Sequence, residues 1–240
     1  PRTILIGSRI GDLSPPAPWM SPVTGEVLLD ALHETIRTYV IADDCYVTAM
    51  VLWITHTYSF RQFHYSPLLL INAPERACGK SVALELIARL AHRSFETANI
   101  TVAALFRIIH LYGPTVLIDE ADTFLESNPE MAGILNKGYE HRGVVVRVET
   151  IGDRLQPVPY RVFGPKAIAG IAMERRLADA TLSRCVRVQM RRKVQGETVQ
   201  RLRSADRGLF ATLRSQIHRF VADQQQSLRE GHTDMPGELS

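Results

Sequence analysis

Residues 68–81, which read LLLINAPERACGKS, constrain the fold more than any other part of the chain. The continuous apolar run Leu68–Ile71 predicts a strand that is buried on both faces, as strands of parallel sheets are. Ser81–Leu90 follows with helical periodicity. The loop between them ends in Gly-Lys-Ser, where the helix begins. The sequence therefore predicts a strand, a tight loop and a helix in immediate succession, which favours an α/β fold.

This loop has the chemistry of a phosphate-binding site. Backbone N–H groups and the dipole at a helix N-terminus both attract anions. In such a loop Lys80 would reach the β- and γ-phosphates, Ser81 would bind Mg²⁺, and Gly79 would let the backbone approach the ligand. The predicted phosphate-contacting residues are Ala73, Pro74, Glu75, Arg76, Ala77, Cys78, Gly79, Lys80 and Ser81.

Pro74 departs from the usual G-x-x-x-x-G-K-[ST] pattern, because it stands where that pattern has its first glycine. Proline fixes φ at about −65° and has no backbone N–H. We therefore expect the loop to approach a nucleotide by a different route from a glycine-led loop.

A second apolar run, Thr115–Ile118, leads into Asp119 and Glu120. Ligands of open α/β sheets bind at the carboxyl ends of strands. Here Asp119 is expected to hold Mg²⁺ and Glu120 to polarise an attacking water. Either motif alone also fits a buried strand with an ordinary loop. Both together, in this order, indicate a nucleotide-hydrolysing core that uses ATP and Mg²⁺.

Composition limits the class of protein. The chain has 240 residues, of which 45% are hydrophobic and 22% charged, as in soluble globular proteins. It has neither an apolar run long enough to span a bilayer nor a secretory signal, so we expect no membrane partner and a cytoplasmic location. Cys45, Cys78 and Cys185 lie far apart and fit neither a disulfide framework nor a zinc site. The start at Pro1, without Met, favours either a fragment of a longer protein or a processed chain.

Charge is divided unevenly along the chain. Residues 1–140 contain 10 Lys and Arg against 15 Asp and Glu, whereas residues 141–240 contain 18 against 10. The basic half fits a polyanion-binding surface and fits a solvated basic face equally well.

The order of predicted elements indicates a mostly parallel sheet flanked by helices. We expect an arm or linker over 1–25, a helical layer over 26–65, a nucleotide-binding core over 66–195 and a helical tail or partial lid over 196–240. Helices are predicted over Glu26–Val40, Tyr46–Phe60, Thr101–His110, Asn128–Lys137, Leu177–Ser183 and Glu197–Leu228, the last broken near Gly208. Further strands are predicted over Ser94–Ile100, Val144–Glu149, Tyr160–Phe163, Lys166–Ile171 and Cys185–Met190. Residues 143–163 form a predicted hairpin with an irregular tip.

The segments APERACGKS, TANITVAALFR, PTVLIDEADTFL, GPKAIAGIA and LADATLSRCVRVQMRRK follow one another in the chain. Their order resembles that of AAA+ ATPases. More closely, they resemble a bacterial and phage domain family of otherwise undefined function, typically attached to primase and helicase proteins of plasmids, prophages and genomic islands. The resemblance covers roughly residues 26–225. It implies a P-loop NTPase fold, an ATP-driven motor acting on DNA as helicase or loader, and a ring or dimer.

The same resemblance implies further residue roles. Leu182-Ser183-Arg184 is similar to the box that carries an arginine finger, so Arg184 would contact the γ-phosphate on a neighbouring subunit, although it also fits a surface cation before a strand. Arg175 and Arg176 are the alternatives. Most AAA+ enzymes carry a water-orienting polar residue after the strand that corresponds to Ala167–Ile171, but residues 170–173 offer none.

The hairpin at 143–163 stands where DNA-translocating relatives insert a pore hairpin. Arg147 and Arg154 are its candidate phosphate contacts. Tyr160 and Phe163 are candidates for base stacking, although Phe163 fits the base of the hairpin better. A non-motor role, as a nucleotide-binding switch or interaction module, also stays open because of Pro74 and the missing polar residue. A two-lobed RNA helicase is excluded because the chain has no room for a second motor lobe.

Overall fold

The computed structural model describes residues 13–123, 125 and 128–230, so the predicted arm and tail lie partly outside it. The helices are α1 Gly25–Tyr39, α2 Asp44–Ser59, α3 Lys80–Leu90, α4 Val102–Tyr112, α5 Pro129–Lys137, α6 Asp179–Leu182, α7 Arg207–Asp223 and α8 Gln225–Glu230. The strands are β1 Leu68–Ala73, β2 Ser94–Thr97, β3 Thr115–Ile118, β4 Val144–Ile151, β5 Arg154–Arg161, β6 Lys166–Ile171 and β7 Cys185–Gln189.

Five strands form one parallel sheet in the order β2-β3-β6-β1-β7. The prediction of an α/β fold with a parallel sheet flanked by helices is therefore confirmed. Every residue of β1 and β3 is buried, as their continuous apolar sequences predict. Strand β6 separates β1 from β3, so the carboxyl ends of those two strands lie about 10 Å apart, with the end of β6 between them.

Helices cover both faces of the sheet. On one face α1, α2, α3 and α7 form a core with alternate residues of β1, and this core includes Ile36, Trp53 and Ile217. The Trp53 indole also donates a hydrogen bond to the Pro67 carbonyl over 2.9 Å. On the other face α4, α5 and the β4–β5 hairpin form a second core around Phe106. The N-terminal helices and α7 thus share one core with the sheet.

The hairpin differs from its prediction. Strands β4 and β5 pair continuously from Val144↔Arg161 to Ile151↔Arg154, and Gly152 with Asp153 makes a two-residue turn. Gly152 has a φ of 63°, which glycine adopts without strain. The prediction of an irregular tip was wrong because it took Pro157 and Pro159 as loop residues. Proline is tolerated in this two-stranded ribbon because an edge strand has N–H positions outside the ladder.

The C-terminal helical tail also differs from its prediction. Helix α7 begins at Arg207, so the helix predicted from Glu197 was placed about ten residues too early. Asp206 is its N-cap, and the Asp206 carboxylate accepts a hydrogen bond from the Gly208 N–H over 2.8 Å. Gly208 therefore lies in the first turn of the helix and does not break it.

Strand β2 ends at Thr97 and α6 starts at Asp179, so both elements are shorter than predicted. Thr101 caps α4 as expected, and its hydroxyl accepts a hydrogen bond from the Ala104 N–H. Within residues 13–123, 125 and 128–230, helices long and apolar enough to cross a bilayer are absent.

Candidate functional site

A cleft of about 510 Å³ opens at the carboxyl edge of the parallel sheet. Its lining residues are Arg76, Ala77, Lys80, Ser81, Asp119, Glu120, Asp122, Thr123 and Ile171. The structure thus brings the predicted loop residues Lys80 and Ser81 to the same cavity as Asp119 and Glu120. These two pairs lie about forty residues apart in sequence and meet because β1 and β3 run in the same direction.

The loop between β1 and α3 is held in a strained backbone conformation. Ala77 has a φ of 61° and Gly79 a φ of 79°, both in the left-handed region. A Cβ on Gly79 would meet only the Met190 methyl, at 3.7 Å, so the backbone rather than the available space requires glycine here. Ala77 holds a conformation that costs free energy for any residue with a Cβ. Such strain is typical of loops that present backbone N–H groups to a ligand.

Neighbouring elements hold this loop in place. Glu75 forms an ion pair with Arg192 over 2.6 Å, and Cys78 is buried. Below the loop the buried Asn72 side chain donates to the side-chain oxygen Oε1 of Gln189 over 2.8 Å and accepts from the Met173 N–H over 2.8 Å. Asn72 therefore fixes the carboxyl ends of β1, β6 and β7 relative to one another.

The Lys80 ammonium is a half-buried cation in the cleft. Within the part of the chain that the structure describes, Lys80 forms no ion pair with a carboxylate. An unpaired ammonium beside backbone N–H groups makes the loop side of the cleft attractive to anions.

The opposite wall of the cleft is acidic. Asp119 accepts a hydrogen bond from the Glu120 N–H through Oδ1 over 2.8 Å, which orients its carboxylate. Glu120 is exposed to the cleft and has a φ of 53°, a second strained position. Its carbonyl oxygen accepts hydrogen bonds from both the N–H and the hydroxyl of Thr123. The strained backbone is thus stabilised by a tight turn that points Glu120 away from the core.

Asp122 is a third acidic residue of this cleft, and sequence reasoning missed it. Its Oδ1 lies 2.8 Å from the position that a Cβ on Gly170 would occupy. The carboxylate therefore covers the end of β6, where Ile171 gives only apolar surface. The signal in the sequence was the third acidic residue of the string Asp119-Glu120-Ala121-Asp122, two residues beyond Glu120.

Arg184 lies outside this cleft. It directly precedes β7, and its carbonyl accepts a hydrogen bond from the Leu68 N–H, so it stands at the amino edge of the sheet. Its guanidinium donates to the Ala180 carbonyl and lies 5.8 Å from the Tyr139 ring centroid. Arg175 and Arg176 follow β6 at the carboxyl edge, and Arg176 donates to the Asp122 carbonyl over 3.5 Å.

The two hairpin arginines differ in their surroundings. Arg147 forms an ion pair with Glu130 over 2.6 Å, and its guanidinium lies 5.0 Å from the Phe106 ring centroid. Arg154 is exposed beside the hairpin turn. Tyr160 is buried against Phe106, with ring centroids 4.6 Å apart. Of these candidates, Arg154 is the one that faces solvent at the end of the hairpin.

The donor set of the cleft suits a hard divalent cation that is shared with a phosphate ligand. Groups of three or more His, Cys, Asp or Glu residues that could bind a metal by themselves are absent from residues 13–123, 125 and 128–230. Mg²⁺ is typically held by one or two carboxylates together with substrate phosphates and water. Asp119 and the Ser81 hydroxyl supply hard oxygen donors of this kind.

Comparison with protein-family models gives no match, and neither does comparison with curated protein sequences. The geometry of the cleft and the chemistry of its residues are therefore the grounds for assigning a function.

Proposed function

We propose that this chain is an ATP-hydrolysing, AAA+-like P-loop domain that acts on DNA, as a helicase or helicase loader in the replication of mobile elements. The observation that supports it most is the shared cleft, in which Lys80 and Ser81 face Asp119 and Glu120. A lone Gly-Lys-Ser or a lone acidic strand end would not produce that arrangement.

Each residue has a role that follows from its position. Lys80 and the strained loop bind the terminal phosphates, where fixed N–H groups and a cation stabilise negative charge. Ser81 and Asp119 hold Mg²⁺, which neutralises charge that develops on the phosphates. Glu120 is exposed to the cleft and accepts a proton from the attacking water. Asp122, above the end of β6, orients that water in place of the polar residue that β6 lacks.

The proposal includes a second copy of the chain. Arg184 precedes the five-residue strand β7, whose carboxyl end lies on the cleft side of the sheet, so about 16 Å separate Arg184 from its own cleft edge. A guanidinium there can stabilise transition-state charge only in the cleft of a neighbouring subunit. We therefore propose a dimer or ring in which Arg184 completes the adjacent site.

The alternative is a nucleotide-binding switch that hydrolyses ATP slowly or not at all. Two observations favour it: Pro74 removes one N–H from the loop, and Ile171 is apolar where a water-orienting group would be expected. In that role the nucleotide would change the loop and its contacts with a partner, without turnover.

Steady-state ATP hydrolysis, measured with and without single-stranded DNA, separates the two proposals. The motor predicts turnover that depends on Mg²⁺ and rises when DNA is added. Saturable Mg²⁺-ATP binding without turnover, at micromolar assembled protein, would contradict the motor and support the switch.

A further inference from the structure

A second and larger cavity, of about 770 Å³, lies at the amino edge of the sheet, away from the cleft described above. Residues from the connections that lead into β2, β3 and β6 line it, namely Arg93, Gly113 and Phe163. Because the sheet is parallel, these positions lie at the opposite ends of the strands from Asp119 and Ile171. The four residues of β3 separate the two cavities by about 13 Å.

This cavity is strongly basic. Arg61, Arg93, Arg142 and Arg161 line it together with His110 and His141, and its lining contains no Asp or Glu. Among the described residues, none of the four arginines forms an ion pair with a carboxylate. They come from four separate places in the chain, so the fold gathers them. We name this group the arginine cavity.

The positive potential acts on a neighbouring histidine. The pKa of His92 is lowered to about 4, first by burial and then by charge repulsion from Arg93, His218, Arg61 and Arg214. Arg93 also has a φ of 50° and donates from Nε to the Leu13 carbonyl over 2.8 Å, so its guanidinium is held in place. Like charges gathered in this way are costly unless an anion binds between them.

Aromatic rings accompany the arginines. Phe60 and Phe163 lie with ring centroids 5.5 Å apart, and His141 lies 4.9 Å from Phe163. Tyr112 and Phe163 are half-buried in the cavity wall. Cationic grooves with aromatic side chains bind single-stranded nucleic acids, because the cations follow the phosphates while bases stack on the rings. Arginine suits this task since its planar guanidinium binds phosphate in bidentate fashion and stacks on bases.

We infer that the arginine cavity binds the phosphodiester backbone of a single-stranded nucleic acid. Its volume exceeds what one phosphate requires, and it continues at Val144 and Arg161 into the base of the hairpin that carries Arg154 at its turn. The inference specifies the nucleic-acid contact of the proposed function, but it does not depend on the nucleotide cleft. The principal contact lies at the amino edge of the sheet rather than at Arg147, which is paired with Glu130.

The test measures fluorescence anisotropy of a short labelled oligothymidylate, an oligouridylate and a mixed-sequence duplex, all without ATP. The variant Arg142→Gln/Arg161→Gln removes two exposed arginines whose side chains take no part in the core. We expect it to weaken binding of a single strand by about tenfold or more and to reduce the salt slope by about 1.4, at about 0.7 per lost phosphate contact. Preference for thymidylate or uridylate identifies the type of strand.

Two controls make the result specific. Lys193→Gln/Arg201→Gln removes the same charge from an exposed segment after β7 and is expected to leave affinity within about twofold. Lys80→Ala is expected to bind the strand as the unmodified chain does, so failure of the nucleotide site and failure of this inference are distinguishable. Arg61→Gln is an independent variant that removes one arginine, so we expect weaker binding and a salt slope reduced by about 0.7, and circular dichroism checks its folding.

Equal losses in the Arg142/Arg161 and Lys193/Arg201 variants would overturn the inference, since binding would then follow net charge alone. Absence of binding to either single strand at low salt, or tighter binding to the duplex than to both strands, would overturn it as well.

Discussion

The Asp122 carboxylate covers Gly170 at the carboxyl end of β6, with Oδ1 2.8 Å from the place of a Cβ on that glycine. Strand β6 lies between the strand that leads to Lys80 and the strand that leads to Asp119. Asp122 thus lines the cleft beside the end of the strand between them, where the sequence of β6 offers no polar group. This relationship supplies a water-orienting candidate that the linear pattern lacks.

Replacement of Asp122 by Ala should lower ATP turnover by about tenfold or more while Mg²⁺-ATP affinity changes little, because the carboxylate acts on the water rather than on the phosphates. Parallel measurement of kcat and of nucleotide binding checks this. Asp153→Ala, in the hairpin turn, is the matched control and should retain full turnover. Unchanged turnover in Asp122→Ala would remove the residue from the mechanism.

Arg184 provides a test of assembly. Arg184→Ala keeps an intact cleft and Lys80→Ala keeps an intact Arg184, so each variant alone should be nearly inactive. A mixture of the two should regain ATP turnover, because some clefts then receive the guanidinium of a neighbouring subunit. If the mixture stays as inactive as its components, Arg184 does not act between subunits.

His56 should make stability depend on pH. Burial lowers its pKa to about 4, and its ring contacts the Ser66 hydroxyl over 3.1 Å. Between about pH 6.5 and pH 4 the unfolded chain binds more protons at this site than the folded chain does. The free energy of unfolding is therefore highest above that window and falls as pH is lowered through it, by up to about 3 kcal/mol.

Urea unfolding at several pH values should show a shallower decline for His56→Gln than for the unmodified chain. His64→Gln, at an exposed histidine, controls for the loss of a ring and should follow the unmodified chain. Parallel declines in all three proteins would mean that His56 does not carry the effect.

Lys166 stabilises the junction between the hairpin and the sheet. It is 2% exposed, and Nζ donates to the carbonyls of Val162 and Gly164 over 2.8 Å and of Gly138 over 3.3 Å. Lys166→Met would leave the Val162 and Gly164 carbonyls without the Nζ donor, so we expect a loss of about 3 kcal/mol in unfolding free energy. Lys137→Met breaks an exposed pair with Glu140 and should cost less than about 1 kcal/mol. Equal stabilities of the two variants in chemical denaturation would contradict this role.

Much of the fold could be predicted from the sequence because its strands are continuous apolar runs. Thr115–Ile118 and Lys166–Ile171 were predicted with the bounds that the structure has. The hairpin was harder, because Pro157 and Pro159 are loop residues by propensity and are tolerated only at the edge of a two-stranded ribbon. The start of α7 was also hard to predict, because several polar residues before Asp206 could serve equally well as the N-cap. In the structure Asp206 takes that role.

The cleft was predictable to the extent that its residues adjoin strand ends. Lys80, Ser81, Asp119 and Glu120 follow buried strands, so parallel pairing brings them to one edge. Asp122 was not predictable in the same way, because its position depends on the strained turn at Glu120 and on the absence of a side chain at Gly170. The arginine cavity was also hidden, since Arg61, Arg93, Arg142 and Arg161 lie far apart in sequence.

Isothermal titration calorimetry with Mg²⁺-ATP tests the central claim most directly. The account predicts saturable binding that requires Mg²⁺, is lost in Lys80→Ala and persists in Glu120→Gln, whose ATP turnover falls by about a hundredfold or more. Lys193→Ala, at an exposed lysine outside the cleft, should bind as the unmodified chain does. Folded protein that takes up no Mg²⁺-ATP, or that binds it equally well after Lys80→Ala, would contradict the account.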